Sequence, residues 1–298
     1  MKKDVVIIGG SYAGLSAAMA LGRAIRTVVV IDSGKPCNSQ TPHSHNFLTR
    51  DGSEPAEIAA LGKAQVMKYP TVRFVNGNAT TVTGEDLNFQ VSLEDGQVFF
   101  SKKVLFATGL KDLMPDITGF SACWGISVIH CPYCHGYEYK GQNTGVLMNG
   151  AGAFELARMI KNWTDGLSVF TNGPATLEID QLQKLSEMNV QVEEREIERF
   201  DHQNGILKNI VFKDGLSTQV DALYARPPFE QHCSIPNDLG CKMTGTGHIE
   251  VDELQKSSIP GIYVAGDIAT MMRSVASAVY TGNKAGAMIV HELVAQGQ

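Results

Sequence analysis

The amino-acid sequence predicts an α/β fold containing two βαβ nucleotide-binding units. Two short apolar runs, Val5–Ile8 and Thr144–Met148, each end in a glycine turn and continue into residues at helical spacing. A third pattern, a strand Gly261–Ala265 followed by a helix over Ser274–Val294 with small residues on one face, lies near the end of the chain. With 298 residues, 43% of them hydrophobic and 19% charged, the chain is long and apolar enough for two domains with separate cores.

The elements follow in order. Val5–Ile8 is β-branched and glycine-terminated, as a buried parallel strand requires. Leu15–Gly22 reads as a helix, and Val28–Ile31, closed by Asp32, as the second strand of the unit. Arg73–Asn76, Ala79–Val82, Phe89–Leu93 and Gln97–Phe100 are short strands joined by turns such as Glu94-Asp95-Gly96, and suggest an inserted β-meander. Lys103–Ala107 is a further buried strand, ending in Thr108-Gly109. Met114-Pro115-Asp116-Ile117-Thr118-Gly119 reads as a linker, and Gly245–Gly247 as a second boundary. Between them the second unit runs through the strand Thr144–Met148, a helix from Ala153 to Asn162 and the strand Leu167–Thr171.

Composition excludes several function classes. A net charge of −6 without a Lys/Arg block argues against nucleic acid or anionic membrane as a partner. No apolar stretch reaches membrane-spanning length. Lys2 and Lys3 precede an apolar run, but Gly9-Gly10-Ser11-Tyr12 interrupts it, so a nucleotide-binding turn fits better than an export signal and the cytoplasm is expected. Six cysteines, at 37, 123, 131, 134, 233 and 241, are too sparse for a disulfide scaffold, and one close pair among singles points to redox chemistry. Cys37, Cys123, Cys233 and Cys241 read as isolated small hydrophobes.

Gly9-Gly10-Ser11-Tyr12-Ala13-Gly14 follows a strand and opens a helix, with Asp32 ending the next strand. A dinucleotide needs each part for its own reason. Gly9 permits the tight turn, the small Ser11 lets backbone N–H groups approach a pyrophosphate, and Gly14 allows close helix–sheet packing. The positive helix end faces the phosphates, and an acid about twenty residues on accepts ribose hydroxyls. The motif does not separate FAD from NAD(P).

Cys131-Pro132-Tyr133-Cys134-His135 is the most informative run. Two thiols two residues apart can close a disulfide at a helix start, where the helix end favours the thiolate. One thiolate attacks a partner disulfide and the other resolves the mixed disulfide. C-x-x-C-H is also the haem-attachment pattern, but that needs export and leaves the nucleotide motifs unexplained. A zinc site needs two more ligands, and Cys233 and Cys241 lie far off in sequence, so no metal is expected. Redox exchange is the best reading.

In the order of first fingerprint, Ala107-Thr108-Gly109, CxxC, second glycine turn and Val264-Ala265-Gly266-Asp267, the chain resembles the low-molecular-weight thioredoxin reductases over nearly its whole length. The resemblance implies two Rossmann-like three-layer domains, the second inserted in the first: an FAD-binding domain from residues 1–115 and 246–298, and a pyridine-nucleotide-like domain, 116–245, carrying the CxxC. It implies FAD contacts from Gly9, Ser11, Tyr12, Ala13, Gly14, Asp32, Thr108, Gly109, Gly266 and Asp267. It also implies Cys134 facing the flavin, Cys131 attacking the external disulfide, and a homodimer. The partner it implies is a thioredoxin-like protein or a small-molecule disulfide or dithiol.

The family has Asp after the second cysteine, whereas this chain has His135. Cys131–Glu138, with His43, His45 and Asn46 upstream, looks closer to a branch that includes the gliotoxin and holomycin dithiol oxidases, whose flavin is reoxidised by oxygen. A histidine beside a dithiol suits thiol proton transfer near neutral pH. The second fingerprint, read as Gly150-Ala151-Gly152-Ala153-Phe154-Glu155, departs at its last position, where Glu155 puts bulk and charge. Thr171-Asn172-Gly173 offers neither an acid for an NADH ribose nor a base for a 2′-phosphate, so weakened or lost NAD(P)H use is expected. Three functions follow: a disulfide reductase, an oxygen-dependent dithiol oxidase, or a flavin-binding redox sensor without rapid turnover.

Overall fold

The computed structural model describes residues 2–298. The described residues form two compact units, one from residues 2–39, 47–111 and 229–298, the other from 40–46 and 112–228.

In the first unit, β1 (Lys3–Ile8), α1 (Tyr12–Arg23) and β2 (Val28–Asp32) make the βαβ expected from the sequence. Val5, Val6, Ile7, Val29 and Val30 have no exposed surface, as strands covered on both faces require. The sheet runs in the order Val72–Asn76, β2, β1, Val98–Phe106, Asn88–Leu93, Ala79–Glu85, with Ile262–Val264 also pairing to Val98–Phe106. The first four and Ile262–Val264 pair in parallel, and the last two form an antiparallel meander. The strands expected at Gln97–Phe100 and Lys103–Ala107 are therefore one strand, Val98–Phe106. The polar Ser101-Lys102-Lys103 does not break it, because the fully buried Lys103 ammonium meets the Asp86 and Glu292 carboxylates. The C-terminal helix, Val275–Ala295, is capped by the Ser274 side chain accepting from Ser277 N–H.

The second unit repeats the plan. Its parallel sheet runs Gln191–Glu193, Leu167–Phe170, Thr144–Leu147, Ala222–Ala225, Val128–Ile129. A three-stranded antiparallel meander, Ile197–Gln203, Ile206–Phe212, Ser217–Gln219, accompanies it. Phe120, Phe200, Phe212 and Leu223 fill one core cluster, and Val146, Leu156, Ile160 and Val169 another.

The boundaries differ from those read at 115/116 and 245/246. The chain leaves the first unit at residue 111 and returns at 229. Phe229–Gln231 pairs with Leu110–Asp112, while Ile235, Cys241 and Ile249 pack with Val82 and Phe89 in the first unit's core. Gly245–Gly247 is an internal turn of that segment: Gly247 N–H donates to Thr244 O. Residues 40–46 join the second unit because the Gln40 amide donates to Ser121 O and Trp124 O.

Candidate functional site

In the first unit the sequence-predicted positions collect at the C-terminal ends of parallel strands, where open α/β sheets bind ligands. Gly9, Ser11, Tyr12, Ala13 and Gly14 follow β1, and Asp32 ends β2. Thr108 and Gly109 follow Val98–Phe106, and Gly266 and Asp267 follow Ile262–Val264. The glycines are required sterically. A Cβ on Gly9 would lie 2.2 Å from Ala107 O, and one on Gly14 would lie 1.9 Å from Gly9 O. Such distances exclude any side chain.

Ser11 is the N-cap of α1, but no side chain caps the helix, so its first turn is open to an anion. Gly10 N–H donates to Asp32 Oδ1 at 3.2 Å, tying the acid to the turn while the second carboxylate oxygen has no protein partner among the described residues. The Tyr12 hydroxyl donates to Pro55 O and accepts from Asn38, so the ring braces the scaffold and the backbone is what Tyr12 offers a ligand. Gly266 N–H donates to the Thr281 hydroxyl, and Arg273 Nε lies 3.5 Å from Asp267 Oδ2. Thr108 Oγ1 is buried without a partner among the described residues. A buried hydroxyl left so calls for a ligand or water. These groups fit a dinucleotide and could hold a flavin nucleotide.

In the second unit Cys131 and Cys134 form a disulfide with Cα atoms 5.3 Å apart. The expected helix is a single turn, Pro132–His135, so its dipole is small. A specific hydrogen bond takes over that role: Cys134 N–H donates to Cys131 Sγ at 3.2 Å. Pro132 is buried, and the turn is held by Gly136 N–H donating to Pro132 O at 2.7 Å. Gly136 lies against the Trp163 indole, where a Cβ would come within 3.0 Å, and the exposed Tyr133 ring meets Trp163 edge-on.

Burial, with the nearby His45 adding to it, lowers the His135 pKa to about 4. His135 is therefore uncharged at neutral pH and can accept a proton. His45 Nε2 lies 3.5 Å from Glu138 Oε1, and its ring is edge-on to His135 with centroids 6.3 Å apart. The exposed His43 is a further imidazole 6.4 Å from His45. Asn46 lies at the end of the same segment, in left-handed backbone with φ 58°. Among the described residues no group of three or more His, Cys, Asp or Glu could hold a metal, and no helix is long and apolar enough to cross a membrane.

The second glycine turn corrects the sequence reading. Its helix is Ala151–Ile160, with Gly150 as N-cap. Matching the N-caps Ser11 and Gly150 places Met148 opposite Gly9, Asn149 opposite Gly10 and Ala153 opposite Gly14. The close-packed position is thus Ala153, with no exposed surface, while Glu155 points to solvent and pairs with Arg158. The helix starts two residues earlier than its apolar periodicity suggested, which shifts the whole motif.

The departure that matters is Met148 in place of the first glycine. Its Sδ would be 2.9 Å from a Cβ on Gly152, so the thioether lies over the first turn of the helix. Asn149 Oδ1 accepts from Gly150 N–H and Thr176 N–H, both at 2.8 Å, and Asn149 Nδ2 donates to Pro174 O, lacing the turn to the neighbouring loop. At the end of Leu167–Phe170 the Thr171 hydroxyl donates to Gly173 O, and Asn172 Oδ1 accepts from Ile197 N–H. Both side chains are spent on the fold.

Sequence reasoning missed Met148, Asn149, Thr176 and the role of Glu138. Only Glu138, inside the Cys131–Glu138 run, carried a local signal.

A model of the pyridine nucleotide-disulphide oxidoreductase family matches residues 3–282. The thioredoxin reductase tcpT of Claviceps purpurea is 33% identical over 98% of this chain and 94% of its own length. Among solved structures, an oxidoreductase from Agrobacterium tumefaciens is 36% identical, with a TM-score of 0.93 over 100% of both chains. A putative thioredoxin reductase from Bacillus anthracis is 29% identical, with a TM-score of 0.94 over 99% of this chain and 100% of that one.

Proposed function

Because this chain belongs to the pyridine nucleotide-disulphide oxidoreductase family, we propose that it is a thioredoxin-reductase-like enzyme exchanging two electrons between FAD and the Cys131–Cys134 disulfide. From there the electrons pass to or from a protein or small-molecule disulfide. The observation that carries this reading is the closed Cys131–Cys134 disulfide in a chain that also builds a dinucleotide cradle. The relatives named thioredoxin reductase support a thioredoxin-like protein or another disulfide as substrate.

FAD would be held by the α1 turn, with Gly9, Ser11, Tyr12, Ala13 and Gly14 admitting the pyrophosphate to backbone N–H groups. Asp32 would accept ribose hydroxyls, and Thr108, Gly109, Gly266 and Asp267 would line the remainder. Bound, FAD supplies a two-electron carrier. The Cys134 N–H bond favours negative charge on Cys131 once the disulfide opens, which supports Cys131 as the attacking thiolate and Cys134 as the resolving one. His135, uncharged at neutral pH, accepts a thiol proton.

Two observations favour a second reading, oxidation of a substrate dithiol with oxygen as the final acceptor. His135 is poised to take protons rather than give them. Met148 and the Asn149–Thr176 lacing occupy the turn where a pyridine nucleotide would lay its phosphates.

Anaerobic mixing with NADPH, NADH or dithiothreitol, followed by flavin absorbance, tests both readings. Dithiothreitol is expected to bleach the flavin, while both pyridine nucleotides leave it oxidised for minutes. Rapid bleaching by NADPH would remove the second reading and keep the reductase. Bleaching by none of the three, or a protein that takes up no FAD, would end both.

A further inference from the structure

We propose that the Glu138–His45 pair positions His135 beside the Cys131–Cys134 disulfide as the group that takes the proton from an attacking substrate thiol. The proposal rests on the disulfide chemistry above and extends it to two residues with no role there. His45 comes from residues 40–46, a segment remote in sequence that clusters with the dithiol unit. It reaches back to Glu138, three residues beyond His135, with Nε2 at 3.5 Å from the carboxylate. The His45 and His135 rings meet edge-on, at 85° between planes and 6.3 Å between centroids.

The turn that carries Glu138 is itself anchored. Gly136 is pinned on Trp163 and Pro132 O, and the Tyr139 hydroxyl donates to Ile126 O at 2.9 Å. His45, from a separate segment, therefore meets the Glu138 carboxylate with Nε2 and the His135 ring with its own ring.

The charges facing this group make the arrangement directional. Glu138 faces His45, and His43 is the other imidazole near it. Burial, and after it the neighbouring His45, opposes positive charge on His135. Burial, partial for Tyr139 and complete for Tyr224, raises both phenol pKa values, and the Glu138 carboxylate adds to it, which keeps both protonated. His135 thus enters the reaction uncharged, with a proton-accepting nitrogen.

A substrate thiol gives its proton to His135 while its sulfur bonds to Cys131 Sγ, and the Cys131–Cys134 bond breaks with its electron pair on Cys134. The second substrate thiol loses its proton and attacks its own mixed-disulfide sulfur, and Cys131 leaves as thiolate. The substrate is oxidised by two electrons to its disulfide, the enzyme disulfide is reduced by two, and both protons pass to solvent or to the new thiolates.

The experiment is the anaerobic half-reaction of FAD-loaded protein with dithiothreitol, followed as flavin bleaching from about pH 5 to about pH 9.5. It compares wild type with His45→Gln and Glu138→Gln, each checked for bound flavin. At pH 7 both variants are expected to be slower by on the order of tenfold, a fraction of the effect of a full general base. At about pH 9.5, where the substrate thiolate is already formed, the rates should agree within about twofold. The acid limb of His45→Gln should move to higher pH, because one cause lowering the His135 pKa has gone. Equal slowing at every pH, or no slowing at pH 7, would overturn the positioning role. Wild-type protein that dithiothreitol cannot bleach at any pH would overturn the disulfide chemistry itself, and this proposal with it.

Discussion

Replacing Cys134 by serine is expected to lower turnover of a disulfide or dithiol substrate by at least about a thousandfold, with FAD content unchanged. The reason is chemical. Thiol–disulfide exchange needs a thiolate that can form and break an S–S bond, and a serine hydroxyl does neither near neutral pH. The loss should be near complete for Cys131→Ser as well, since members of one exchange pair are not additive. The two variants differ in what they trap. Cys134→Ser leaves Cys131 able to form a mixed disulfide but not to resolve it, so mass spectrometry should find a stable adduct on Cys131. An adduct on Cys134 in the Cys131→Ser variant, with none in the reverse case, would exchange the two roles. Residual activity from other sulfurs should be small, because burial pushes the Cys123, Cys233 and Cys241 thiols upward. Cys37 is exposed, so Cys37→Ser is the control.

Lys103→Ala should be the most destabilising single change outside the glycine turns, by about 3–5 kcal/mol in urea unfolding. The Lys103 side chain has no exposed surface, and its ammonium meets Asp86 at 2.6 Å and also Glu292. Glu292 in turn pairs with Lys256 and accepts from the Tyr263 hydroxyl at 2.7 Å, and Gln296 donates to Asp86 at 2.8 Å. The network joins the strands Val98–Phe106 and Ile262–Val264 to the C-terminal helix. Removing the lysine leaves two carboxylates without their shared cation, and total stability is only about 5–15 kcal/mol.

The same network predicts acid sensitivity. Burial alone would raise the Glu292 pKa, but hydrogen bonds from Lys103, Lys256 and Tyr263 outweigh it and hold the value at about 2. A carboxyl whose folded value is depressed contributes stability that is fully present above its unfolded value, near 4.5. That contribution is lost as pH falls from there through about 2. Glu292→Gln should flatten this part of the stability–pH curve. A Lys103→Ala protein as stable as wild type would show that the buried charges do not support the fold.

Much of the first unit was legible in the sequence because its signals are local. A glycine whose added Cβ would fall 2.2 Å or less from a carbonyl oxygen tolerates no substitute, so Gly9 and Gly14 announce their turn wherever they occur. Val5–Ile8 and Val28–Ile31 are apolar throughout because both sheet faces are covered. The second glycine turn was less legible. Its helix begins on Ala151 and Gly152, exposed small residues with no apolar periodicity, so the motif was read two positions late and Glu155 was given a packing role that Ala153 fills. The single strand Val98–Phe106 was read as two for a similar reason. Ser101-Lys102 looks like an interruption until the Lys102 ammonium is seen to meet Asp4 Oδ1 at 3.0 Å, on a strand distant in sequence.

The sequence by itself determined the α/β class, the first glycine turn and the Cys131–Cys134 pair, because each rests on residues within a few positions of one another. Only the tertiary structure decided which side chains surround the dithiol and what fills the second turn. His45 meets Glu138 and His135 across some ninety residues of chain, and Asn149 meets Thr176 across a strand and a helix. Such encounters depend on how segments pack, and hydrogen-bond energies fall off within a few ångströms, so no local pattern of residues can encode them.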